Sequence, residues 1–352
     1  MRNTSKMTTL ENKFPLLAVE HGCIISKDAD ITVAFEVELP ELYTVTGAEY
    51  EAIHGCWCKA IKVLPYFCVV HKQDWFIKEK YMPELQKDDM SFLSRSFERH
   101  FNERPYLKHS CYLYLTKTTK ERNRMQSNFS TLCRGHIIPK ELDKETAGKF
   151  MEAAEQFERI MNDSGFVRLR RLSTDEIVGT EKSAGLIERY FSLMPEGDTT
   201  LQDIDLSANE MRIGDNRLCL HTLSDAEDMP GKVATDIRYE KLSTDRSDCR
   251  LSFASPVGLL LSCNHIYNQY VIIDNSEENL QKFEKSARNM QSLSRYSRSN
   301  SINREWIDQY LNEAHSYGLT SVRAHFNVMA WSDDAEELKH IKNDVGSQLA
   351  SM

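Results

Sequence analysis

The residues that invite a chemical reading begin with His54-Gly55-Cys56-Trp57-Cys58. On a helix, His54 and Cys58 share a face, and a soft metal could use both. A closed metal site needs four ligands, and no second Cys/His cluster of suitable spacing supplies the others. The plainer reading is a helix with a partly buried histidine and two inert thiols, so no metal ligand is assigned. With nine Cys and eleven His in the chain, accidental Cys–His pairs are inevitable and carry no catalytic signal. Ser255-Pro256-Val257-Gly258 lacks the full nucleophile-elbow pattern. A phosphate-cradling loop needs Gly, four residues, Gly, Lys and then Ser or Thr, because backbone N–H groups wrap the phosphates and the Lys reaches the terminal one. All fourteen glycines fail this test. The nearest approach, Gly179-Thr180-Glu181-Lys182-Ser183-Ala184-Gly185, is one residue too long and has Leu186 in place of the Lys. The residues therefore give no catalytic, cofactor-binding or metal site.

One stretch is suited to charged partners. Lys282, Lys285, Arg288, Arg295, Arg298 and Arg304 lie among Ser, Asn and Tyr296. Of these, Arg288, Arg295 and Arg298 are the candidate contacts to phosphate or to an acidic partner. A nucleic-acid-binding module using residues 282–304 is one reading. A solvated helix face and polar loop is the plainer one. Arg168, Arg170 and Arg171 form a smaller basic strand.

Elements must position any such residues, and the composition allows them. The chain has 352 residues, 41% hydrophobic and 28% charged, enough to bury one large or two ordinary cores. Its net charge of -9 argues against a surface built throughout for nucleic acid. The longest apolar run, Ala254 to Cys263, is too short for a membrane span and is broken by Ser255, Pro256 and Ser262. Met1 to Lys13 lacks the apolar centre of a signal peptide, so the expected location is cytoplasmic. The cysteines sit mostly within apolar segments, which suits buried reduced thiols better than a disulfide framework.

Periodicity then places the elements. Ile31, Val33, Phe35 and Val37 alternate as in a strand, and Thr46-Gly47-Ala48-Glu49 reads as a capping box for a helix carrying Tyr50, Ile53, Trp57, Ile61 and Leu64. A strand is expected over 66–77, a helix over 89–102 with Met90, Leu93, Phe97 and Phe101 as its apolar side, and a strand over 109–118. Residues 119–140 read as an exposed polar loop. A helix over 143–163 ends at Gly165, and a strand over 166–172 leads to a helix running from Ser173 to about Met194. Turns are expected at Gly214-Asp215-Asn216 and Pro230-Gly231, a strand pair at 257–262 and 267–273, and helices at 275–296 and 301–317. Val322, Ala324, Phe326, Val328 and Ala330 alternate in a closing strand. Asp333 and Glu336 then read as a capping box for a helix with Ala335, Leu338, Ile341, Val345 and Leu349 on one face. The run helix–Gly165–strand–capped helix recurs as helix–Gly318–strand–capped helix, which suggests two lobes divided near Pro195.

Several stretches resemble the N-terminal region of TraG, the conjugation ATPase of conjugative transposons in the type IV secretion ATPase family. They are Phe14-Pro15-Leu16-Leu17 with Ile31 to Val37; Arg104-Pro105-Tyr106 followed by Leu113-Tyr114-Leu115-Thr116; Ser255-Pro256-Val257-Gly258-Leu259-Leu260; and Asn303-Arg304-Glu305-Trp306 with the closing strand and helix. The resemblance spans essentially the whole chain and rests on packing patterns, not on catalytic signatures. It implies an N-terminal α/β domain preceding a RecA-like motor that powers pilus assembly and DNA transfer at the inner membrane. In that family the motor holds ATP and Mg²⁺; here the chain ends where it would begin, and no ATP-contacting residue carries over.

The resulting expectation is an α/β (α+β) protein of two lobes, 1–195 and 196–352, each of mixed sheets with helices packed on them and no P-loop domain. Its expected role is a non-catalytic assembly and docking domain of a conjugation ATPase, without a cofactor of its own. Its implied partners are other subunits of the secretion channel and further copies of itself, at the inner face of the cytoplasmic membrane.

Overall fold

The computed structural model describes residues 14–41, 45–82, 91–118, 144–193, 202–207, 210–222, 237–293 and 296–350. Strands β1 (Leu16–Glu20), β2 (Cys23–Ser26) and β3 (Ile31–Glu38) form an antiparallel meander. Helix α1 (Gly47–Lys62) starts at the expected capping box: the Glu49 N–H donates to Thr46 Oγ1 at 3.3 Å, and the Thr46 N–H donates to Glu49 Oε2 at 2.8 Å. Strand β4 (Cys68–Glu79), helix α2 (Phe92–Asn102) and strand β5 (Tyr106–Lys117) follow, then α3 (Lys144–Asp163) and the short β6 (Arg168–Arg171).

The helix expected from Ser173 onward is broken. It is α4 (Thr174–Val178), a two-strand ribbon of β7 (Gly179–Thr180) and β8 (Ser183–Ala184), and α5 (Leu186–Ser192). Two glycines cause the break. Gly179 adopts a φ of +103°, which L side chains rarely adopt, and a Cβ on Gly185 would lie 2.2 Å from the Val178 carbonyl carbon.

Strands β9 (Ile204–Leu206), β10 (Met211–Ile213) and β11 (Asn216–Thr222) form a second meander, with the expected turn at Gly214. Strands β12 (Ile237–Arg238) and β13 (Arg250–Leu251) pair apart from it. Residues 257–262 do not form the expected strand. Pro256, pre-set for a first helical turn, starts α6 (Ser255–Leu259), which crosses so close to the next strand that a Cβ on Gly258 would meet the Tyr267 ring at 2.5 Å. That strand is β14 (Asn264–Ile273), followed by α7 (Ser276–Leu293), α8 (Arg298–Tyr317), β15 (Val322–Ser332) and α9 (Ala335–Ala350). The α9 cap is Asp334, one residue later than expected: its Oδ1 accepts from the Glu336 N–H at 2.9 Å. Leu349's side chain lies outside what is described.

The chain is α+β. Eleven strands form one sheet in the order β1-β2-β3-β5-β4-β14-β15-β11-β10-β9, with β6 beside β3. Every pairing among the described residues is antiparallel, so the sheet is not mixed as expected. The expected division at Pro195 lies outside the described residues. On either side of it, β4 and β14 pair over eight residues of register, from Phe76↔His265 to Val69↔Ile272.

Helices cover both faces unevenly. On the first face, α1 and α3 enclose Phe35, Leu113, Leu115, Phe150 and Phe157, each contributing about 1.5–3 kcal/mol by burial. Further along that face, α6 and α9 cover Val328, Ala330, Leu338, Ile341 and Val345. On the second face, α4 and α5 lie over Trp75, Ile266 and Trp331.

Candidate functional site

The gap between the two helical covers of the first face is filled by polar side chains. Lys72, Asp74 and Phe76 project from alternate positions of β4, and Cys111 and His109 stand opposite Asp74 and Phe76 on β5. The Lys72 ammonium bonds the Asp74 carboxylate, and His109 Nε2 lies 2.9 Å from Asp74 Oδ1. The Phe76 ring stacks between His109 and His265, with centroids at 4.7 and 4.6 Å. Burial would push the Asp74 carboxyl up, but the Lys72 charge and the His109 hydrogen bond overcome it and hold Asp74 at about 2. Burial likewise works against the Lys72 charge, and its neighbours more than offset that, so its pKa is raised. Neither group can exchange a proton easily near neutral pH, where general acid–base catalysis needs it. Burial pushes the Cys111 thiol up, which keeps it from being a nucleophile. This seam is a structural lock. His265 has both ring nitrogens against carbonyl oxygens, Cys263 at 2.8 Å and Gly258 at 2.7 Å. Only a charged ring could donate to both, while burial pushes its pKa down.

Two helical excursions leave the sheet at opposite ends. Helix α2 joins β4 to β5 where Glu79 pairs with Tyr106. Helices α7 and α8 join β14 to β15 at the far end, where Ile273 pairs with Val322. The twelve residues of β4 separate the two ends by roughly 40 Å.

Helix α2 is amphipathic, and its apolar side faces water. Phe92, Leu93 and Phe97 are 82%, 77% and 60% exposed. At its C-terminal end Asn102 Nδ2 donates to the Tyr81 carbonyl at 2.8 Å, and along the helix the Phe97 and Phe101 rings touch at 4.5 Å. The expected apolar side, Leu93, Phe97 and Phe101, is present and faces outward; Met90 lies outside the described residues. Apolar spacing showed that a face existed but not which partner would cover it.

Helices α7 and α8 pack chiefly on each other, with Phe283 against Tyr310 at 5.1 Å and Ala287 and Ala314 buried. Arg288 sits on α7 beside Glu284 at 3.4 Å, and Arg298 opens α8 and is exposed. Arg295 lies outside the described residues. Other cations of this arm have acidic neighbours too, such as Arg304 with Asp308 at 3.4 Å. Arg170 on β6 is paired with Glu36 at 2.6 Å and Glu176 at 2.7 Å. The arm also presents Trp306, 65% exposed, and Tyr296 to solvent.

The remaining sequence candidates stay apart. His54 and Cys58 touch on α1, Sγ to Nε2 at 3.6 Å, and among the described residues no group of three His, Cys, Asp or Glu could hold a metal ion. No helix of the described residues is long and apolar enough to cross a membrane. The exposed face of α2 is thus the most conspicuous surface.

Residues 3–55 match the family described as "Domain of unknown function, B. Theta Gene description (DUF3875)". The match takes in β1 to β3 and the first half of α1. No curated protein matches the chain.

Proposed function

We propose that this chain is a non-catalytic assembly and docking domain of a conjugation-type secretion ATPase, acting at the inner face of the cytoplasmic membrane. It binds neighbouring copies of itself and other channel subunits, while ATP and Mg²⁺ belong to a separate motor domain. The observation that carries this reading is the apolar face of α2, Phe92, Leu93 and Phe97, turned to solvent at one end of a long sheet. Exposed apolar side chains of this size mark interaction surfaces. The α7–α8 arm with Trp306 lies at the opposite end, so copies joined α2-to-arm make a head-to-tail contact, the kind that closes into rings. Phe14–Leu17 and Ile31–Val37, on which the TraG resemblance partly rests, fall inside the matched residues 3–55.

Sedimentation equilibrium tests this. The chain should self-associate with a dissociation constant tighter than about 100 µM, roughly -5.5 kcal/mol. Leu93→Glu with Phe97→Glu should leave a folded monomer, and Trp306→Ala should weaken association. A wild-type chain that stays monomeric throughout this range would overturn the assembly reading. Stoichiometric ATP binding in calorimetry would overturn the non-catalytic one.

A further inference from the structure

The second face of the sheet holds a cleft that the docking role does not use. It has a volume of about 330 Å³ and lies between α5 and the strands β3, β5, β4 and β14. Its floor is ordered by register. Tyr114, His71 and Tyr270 stand opposite one another on β5, β4 and β14, and the row continues to His325 on β15. The His71 ring lies flat on Tyr270, with centroids 4.2 Å apart and an 18° interplanar angle. Beside this row run Gln73 and Asn268. The wall is Tyr190 and Phe191 of α5, with Phe14 against Phe191 at 5.2 Å.

The polar groups of the floor are fixed before any ligand arrives. Gln73 Oε1 accepts from Trp75 Nε1 at 2.8 Å and from the Tyr114 hydroxyl at 3.0 Å. Asn268 Oδ1 accepts from Gln73 Nε2 at 3.0 Å and faces His71 Nε2 at 2.8 Å, while Asn268 Nδ2 donates to Asn327 Oδ1 at 2.9 Å. These bonds hold the rings in place, so a ligand meets a preorganised surface.

Among the described residues, the lining carries no Lys, Arg, Asp or Glu. Burial lowers the His71 pKa to about 4, so its imidazole is neutral at pH 7. An ionic ligand entering here would leave water without a counter-ion, which is strongly unfavourable. Phosphorylated and carboxylated compounds are therefore disfavoured. A flat neutral ring is favoured, because aromatic walls offer stacked and edge contacts and the volume is at the lower end of ligand sites.

We infer that this cleft binds a small, uncharged heteroaromatic molecule of one or two fused rings, stacked against the Tyr114–His71–Tyr270 row and closed over by Tyr190 and Phe191. The binding surface is distinct from α2 and does not depend on assembly.

Saturation-transfer NMR and calorimetry on the full chain test it, with indole and adenosine as neutral probes and indole-3-acetate and AMP as charged counterparts. Indole or adenosine should bind with a dissociation constant between about 10 µM and 1 mM, and its charged counterpart at least about tenfold more weakly, a difference of about 1.4 kcal/mol. Tyr190→Ala, at a partly exposed position, and Phe191→Ala should each weaken binding several-fold. Leu93→Glu on α2 should leave it unchanged. Failure of both neutral probes to bind at about 1 mM, equal binding of the charged counterparts, or an unchanged constant in a folded Tyr190→Ala protein would each overturn the inference.

Discussion

Replacing Asp74 with alanine should lower folding stability by about 3 kcal/mol, measured by urea denaturation followed through tryptophan fluorescence. Asp74 is 4% exposed and receives both the Lys72 ammonium and His109. Without it, a largely buried ammonium loses its counter-charge, and that loss outweighs the missing side-chain contacts. The double replacement Lys72→Met with Asp74→Leu should recover most of the stability, because it removes both charges and keeps apolar volume between α1 and α9. A loss below about 0.5 kcal/mol in Asp74→Ala would show that the pair contributes nothing. The pH dependence has a definite sign. The Asp74 pKa falls from its ordinary 3.8 to about 2 on folding. Its stabilisation is therefore complete above pH 3.8 and is lost as the pH falls toward 2, amounting to about 2 kcal/mol.

A second and earlier acid loss should come from His71. Burial lowers its pKa from 6.5 to about 4. The unfolded chain takes up this proton first, so the folded state loses stability as the pH falls from 6.5 to 4, by about 3 kcal/mol at the lower end. The two windows are separate, one above pH 4 and one below. Thermal melts at pH 7 and pH 4.5 should differ much less in His71→Gln than in the wild type. Equal differences would place the acid sensitivity elsewhere. The same experiment reads the cleft, since a protonated His71 puts a charge on a floor suited to neutral rings. Binding of indole or adenosine should weaken below about pH 5, where the ring begins to charge.

Much of the sheet was legible because its strands repeat a two-residue pattern. Ile31 to Val37 and Val322 to Ala330 alternate cleanly, and both are strands paired on each side. The Thr46–Glu49 cap could be read because it is a local device of four residues. What misled was apolar content without a period: Val257 to Ser262 reads as a strand, but Pro256 sets helical geometry for the residues after it. Gly179 and Gly185 split a helix through their own backbone demands, which side-chain spacing does not record. The seam could have been suspected from Lys72 and Asp74, which alternate with Val70 and Phe76 on one face of β4, since a buried charge requires a partner. The cleft had no such signal. Its floor joins residues from Thr32 to Tyr270, brought together only by the register of four strands.

The α7–α8 arm leaves and rejoins the sheet at one point: the Asp274 N–H donates to the Ser321 carbonyl at 3.1 Å, and the Arg323 guanidinium clasps Asp274 at 2.7 and 2.9 Å. The chain entering the arm and the chain leaving it are thus already joined before the first helix begins. Everything from Ser276 to Tyr317 hangs from that closed neck, and β14 and β15 keep their ten paired positions whatever it contains. Such an insertion can lengthen, shorten or change its surface over generations while the sheet beneath keeps its register. The arm is the part of this protein most free to be refitted to a new neighbour.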